Sequence, residues 1–212
     1  MFLRRLRTSA ALRRGATAGG VLAAVRAELA NELSSSAPPP FRSELAPDFD
    51  TVSDAPRAQD VLLRRRAGAG SEPEEVLVSA LLAPLRFVGR DPLPRAALVK
   101  VFVSKPGAAP VLHFDCRASW VGEEERGGGA ADYAINAVRY HSSPGGGEED
   151  EYEGPAFRDL DPRLQAALRE YLVARGFNSK LASSILQHLL QKERNQYVNW
   201  LKTLEEAFAK HH

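Results

Sequence analysis

The stretch Pro110–Trp120, PVLHFDCRASW, decides the fold. Leu112, Phe114, Cys116, Ala118 and Trp120 alternate with Val111, His113, Asp115, Arg117 and Ser119. Successive side chains of a strand point to opposite faces, so one face is apolar and the other mostly polar. This predicts a half-buried strand of an antiparallel sheet. The run before it, AALVKVFVSK (Ala96–Lys105), reads the same way. KPGAAP between the two is short and turn-forming, which predicts a hairpin.

Further strands are predicted on both sides: VLVSALLAPL (Val76–Leu85) before, and DYAINAVRYHS (Asp132–Ser142) after. FRSELAPDFDTV and QDVLLRRR are weaker and read as exposed or edge strands. Helical periodicity takes over at the two ends. In VLAAVRAELANELSSS, Leu22, Val25, Leu29 and Leu33 recur at helical spacing, and SSSAPPP stops the run. Near the other end, Asp161 is a natural N-cap and Pro162 a natural first helical residue. Leu164, Leu168, Tyr171 and Leu172 form a stripe, with Arg175 in the last turn and Gly176 at the C-cap. A second helix is predicted from Asn178 or Ser179, striped first by Leu181, Ile185 and Leu189, then by Trp200, Leu201, Leu204 and Phe208. QKERNQ (Gln191–Gln196) is polar all round and predicts a kink or break. The layout is α+β, with helices segregated from the strands.

The net charge of +1 conceals a partition. Residues 1–27 hold six arginines and no acid, which leaves 22 basic against 27 acidic residues in the rest. The Arg-, Ala-, Ser- and Thr-rich leader, residues 1–20, has the composition of a mitochondrial transit peptide, and lacks the apolar core of a secretory signal. The hydrophobic fraction of 44% suffices for a core. No stretch approaches the roughly 20 apolar residues of a membrane span. With Cys116 alone, no intramolecular disulfide or cysteine-rich metal site can form. No Asn-x-Ser/Thr sequon is present.

His113 and Cys116, three apart on a strand, point to opposite faces and cannot act together. His113 and Asp115 share a face, but no nucleophile stands beside them, so a hydrogen-bonding pair is expected rather than a hydrolase. The glycine tracts match neither a dinucleotide fingerprint nor a P-loop, and the five histidines lack metal-ligand spacing. No catalytic residue, metal or cofactor is expected. Two glycine-rich acidic loops remain, near 122–131 and 143–155. Glu123, Glu124, Glu125, Glu148, Glu149, Asp150, Glu151 and Glu153 would steer Lys/Arg-rich partners towards them. Arg64, Arg65 and Arg66 form a small basic patch, the one candidate for RNA, without an aromatic platform.

YEGPAFRDLDPRLQAALREYLVARGF (Tyr152–Phe177) and QYVNWLKTLEEAF resemble the C-terminal signature of the mitochondrial glycoprotein family, most closely its plant-type branch. PVLHFDC is similar to the family's central strand. These are mitochondrial acidic matrix proteins, whose animal relatives also bind the globular heads of a complement component. The resemblance implies a twisted antiparallel sheet of about seven strands. One N-terminal and two or three C-terminal helices would flank it, in one domain over residues 21–212. It also implies a doughnut-shaped homotrimer in the mitochondrial matrix, with no active site attributed to it. The implied work is chaperone-like protein binding that supports oxidative phosphorylation or mitochondrial translation, with ribosomal or respiratory assembly clients. In that assembly Leu168, Tyr171, Trp200 and Phe208 are expected to supply helix packing within or between subunits. The body here is less acidic than the family usually is.

Overall fold

The computed structural model describes residues 18–34, 45–67, 74–105, 110–121, 131–141 and 152–210. Helix α1 spans Ala18–Ser34. The strands are β1 (Asp50–Ser53), β2 (Asp60–Ala67), β3 (Glu74–Leu82), β4 (Phe87–Val88), β5 (Asp91–Pro92), β6 (Ala97–Ser104), β7 (Val111–Trp120) and β8 (Ala131–His141). A 3-10 turn at Phe157–Asp159 leads into α2 (Pro162–Ala174) and α3 (Ser179–Lys210). Residues 1–17, and with them most of the leader, lie outside the described residues.

Among the described residues, six strands form one antiparallel sheet in the order β1-β2-β3-β6-β7-β8. Strands β4 and β5 form a separate two-stranded hairpin. The expected hairpin of β6 and β7 is present, with Val101 opposite Phe114 and Val99 opposite Cys116. β2 is not an edge strand. β1 pairs outside it and takes the exposed edge, and Val61 and Leu63 lie fully buried on the core face.

The chain divides into two compact units, Ser43–Leu189 and residues 1–42 with Leu190–His212. In the first, Val76, Val78, Val99, Val101, Phe114 and Cys116 form a buried sheet face. Leu172, Phe177, Ile185, Leu186 and Leu189 of α2 and α3 are buried with them, and Phe114 stacks on Tyr171. A fully buried side chain of this size contributes about 1.5–3 kcal/mol. The N-terminus of α2 is as expected, and its C-cap falls one residue before the expected Gly176. Asp161 accepts hydrogen bonds from the amides of Arg163 and Leu164, with Pro162 next. Arg175 is the C-cap, and Gly176 follows at φ +88°. Asn178 Oδ1 then accepts from Leu181 N as α3 begins.

In the second unit, α1 packs antiparallel to the C-terminal part of α3. Val25, Leu29 and Leu201 form its buried cluster, joined by Val21, Tyr197, Val198 and Leu204. Leu33, expected in the stripe, is largely exposed. The break expected at Gln191–Gln196 is absent, and α3 is one continuous helix, giving two C-terminal helices. The reason is that the polar run has partners on α1. Arg194 donates to the Glu32 carbonyl at 2.6 Å, and Tyr197 Oη to Glu28 at 3.1 Å.

Candidate functional site

The face of the sheet opposite the buried valines carries a polar cluster. Register places Asp50, Arg64, Leu77, Phe102, His113 and Arg139 in one row across the strands. Lys100 and Asp115 are opposite each other in the next. A β-bulge makes this possible. Asp115 pairs with Ala137 but Cys116 with Ile135, leaving Asn136 as the extra residue of β8. The bulge reverses the parity of β8, so Ile135 faces the core while Arg139 and His141 share the face of His113.

His113 is buried, at 5% exposure, which the alternation alone does not indicate. Its ring stacks on Phe102 with centroids 4.4 Å apart, and its Nδ1 lies 3.1 Å from His141 Nε2. Nε2 sits 3.3 Å from Asp115 Oδ1 without hydrogen-bond alignment. Burial, then the charges of Lys100, His141 and Arg139, lower its pKa to about 4, so the ring is neutral at physiological pH. Arg139 pairs with Asp115 and also reaches Glu153 at 3.2 Å. Together with Lys100 these residues line a shallow cleft of about 480 Å³. Cys116 lies on the opposite, buried face, and burial pushes its thiol up to about 12. It therefore stays protonated and does not meet His113.

The acidic loops are only partly in view. Glu123, Glu124, Glu125, Glu148, Glu149, Asp150 and Glu151 lie outside the described residues. Glu153 is exposed but engaged by Arg139. The structure does not bring Arg64, Arg65 and Arg66 to one surface. Arg64 and Arg66 sit opposite Leu77 and Glu75, whereas Arg65 sits opposite Val76 on the helix-covered face, with its guanidinium 5.8 Å from the Phe49 ring centroid. Of the expected packing residues, Leu168, Tyr171 and Phe208 are half-buried, while Trp200 is 55% exposed and stacks on Tyr197.

Three arginines that no sequence pattern singles out, Arg86, Arg95 and Arg117, border one cleft beside the β4–β5 hairpin. They are spread over more than thirty positions of sequence. Gly89 of FVGRDP, at φ +62°, with Pro84, Pro92 and Pro94 around it, is the local turn signal there.

The sequence pattern of the mitochondrial glycoprotein family matches residues 51–208. The chain belongs to this family. A 56-residue stretch is 39% identical to the mitochondrial acidic protein mam33 of Schizosaccharomyces pombe, spanning 26% of this chain and 21% of that protein. In structure the chain is similar to the Trypanosoma brucei p22 protein, with a TM-score of 0.67, 21% identity, and coverage of 90% of this chain and 98% of that one. It is also similar to a Leishmania major protein described as a sequence homologue of human p32, with a TM-score of 0.65, 19% identity and the same coverage. Those two likenesses agree with the helix-flanked antiparallel sheet described above.

Proposed function

We propose that this member of the mitochondrial glycoprotein family is a non-enzymatic, chaperone-like binding protein of the mitochondrial matrix. It works as a homotrimer and captures Lys/Arg-rich clients, ribosomal or respiratory assembly proteins, on its acidic loops. Residues 1–20 serve as its import address, and its work supports oxidative phosphorylation or mitochondrial translation. The observation that carries the reading is the family match over residues 51–208. The charge partition supports it, since residues beyond the leader have an acidic excess. Three copies would multiply a loop field that is weak in one.

Native mass spectrometry of the chain without its leader tests the assembly, with a trimer expected and a stable monomer counting against it. Capture from matrix extract tests the loops. Neutralising Glu148, Glu149, Asp150, Glu151 and Glu153 should weaken capture and flatten its salt dependence. Unaltered capture would remove the loops from the mechanism.

A further inference from the structure

Between β3 and β6 the chain leaves the sheet for fourteen residues, 83–96. Ala83 N donates to the Ala96 carbonyl at 2.8 Å, and both residues are buried, so the base of this excursion is clamped to the sheet. Leu93 N donates to the Arg86 carbonyl at 2.8 Å, and β4 and β5 close the arm around Gly89 and Arg90. Both residues of β4 are exposed, Phe87 at 54% and Val88 at 65%, and Leu85 and Leu93 are exposed as well. An isolated two-stranded hairpin gains little in water, so a hairpin with both sides bare lacks a partner for its apolar surface.

Beside this arm lies a cleft of about 230 Å³ bordered by Arg86, Arg95, Arg117, Ser119 and Trp120. No carboxylate is among its lining residues. Arg90 stands exposed at the tip, with Asp91 exposed beside it. Exposed apolar side chains on the arm, with guanidiniums beside them, form the complement of a surface that is anionic outside and apolar beneath. We infer that the 83–96 hairpin and its arginine cleft are a docking site for an anionic phospholipid bilayer, with Phe87 and Val88 entering the interface and the guanidiniums binding headgroup phosphates. Single-stranded nucleic acid offers the same phosphates but nothing for Leu85, Val88 and Leu93 to enter. Arginine suits the phosphates because its planar fork binds them bidentately. No helix of the described residues is long and apolar enough to cross a membrane, so the contact is peripheral.

The test uses the full chain carrying Val88→Cys, labelled with an environment-sensitive fluorophore. Cys116 is buried, which leaves position 88 as the reactive thiol. The local probe is needed because the arginines of the leader will themselves draw the chain to anionic lipid. With phosphatidylcholine vesicles containing phosphatidylglycerol, the emission should shift to the blue and be quenched by nitroxide-labelled lipid. With phosphatidylcholine alone it should not change. Arg86→Gln should weaken the response about fivefold, and Arg86→Gln with Arg90→Gln about 25-fold. Phe87→Ser, at an exposed site, should reduce the shift without lowering the melting temperature. A chain that floats with the vesicles while its probe stays in water overturns the proposal, as does an equal response to neutral lipid. A lipid-free, concentration-dependent shift would assign the hairpin to a contact between copies and overturn it too. So would a single-stranded RNA gel shift that Arg86→Gln abolishes, found with no vesicle response.

Discussion

The guanidinium of Arg175 lies 3.3 Å from the ring centroid of Tyr171, one helical turn earlier, and its Nη2 reaches Glu74 of β3 at 2.5 Å. One side chain thus caps α2, covers an aromatic face and ties the helix to the sheet. All three contacts are largely shielded from water, so they are worth more than a surface pair. Arg175→Ala should cost about 2 kcal/mol in urea denaturation. Arg175→Lys should recover little of it, because an ammonium cannot stack flat on the ring and reach the carboxylate together. Full recovery by lysine would reduce the contact to simple charge.

His113 gives the protein an acid-sensitive component. In the unfolded chain its imidazole titrates near 6.5, and in the folded chain at about 4. Between those values the unfolded state binds more protons. The contribution is therefore complete above pH 6.5 and is lost as pH falls towards 4. The loss is on the order of 2–3 kcal/mol. His113→Phe, which keeps a ring against Phe102, should flatten this limb of the stability profile. A variant with the same acid limb would move the effect to the surrounding carboxylates.

Gly176 ends α2 at φ +88°, and a Cβ there would run into the Arg65 guanidinium as well as a backbone that disfavours it. Gly176→Ala should therefore lower stability by about 1–2 kcal/mol. Asp161→Ala, at the other end of the helix, should cost about 1 kcal/mol. The two sites share no partner, so thermal denaturation of the double variant should show additive losses.

Trp200 separates folding from assembly. Within one chain it is more than half exposed, so Trp200→Asp should leave the fold of the single chain intact by circular dichroism. If the proposed trimer buries this ring, the same variant should dissociate it by placing a charge in an apolar contact. Size-exclusion chromatography with light scattering reads the second effect, and an intact trimer would place Trp200 outside the contact.

The strand of the opening stretch was legible because its neighbours on both sides are sheet, so its period of two survived folding. The caps of α2 were legible because Asp161, Pro162 and Gly176 act within a few residues of themselves. What escaped the sequence depended on partners elsewhere. QKERNQ reads as a break until Glu28 and Glu32 of α1 receive Tyr197 and Arg194. β2 reads as an edge until β1 pairs outside it. Arg139 and His141 join His113 only through the bulge at Asn136, which no alternation announces. Of the candidate site residues, most of the acidic ones lie outside the described residues. The arginine cleft is assembled from side chains that no local pattern relates.

The unbroken course of α3 has a practical consequence for deletion mapping. No loop separates the part of the helix that serves the sheet from the part that serves α1. A chain truncated after Leu190 would strip the cover from Val25 and Leu29 and display a raw oily ridge. Such a fragment would adhere to many proteins, or be cleared by the cell, for reasons unrelated to any binding surface it had lost. Regions assigned to partners by C-terminal truncation of this fold would be misassigned, and point substitutions on exposed positions are the sounder instrument.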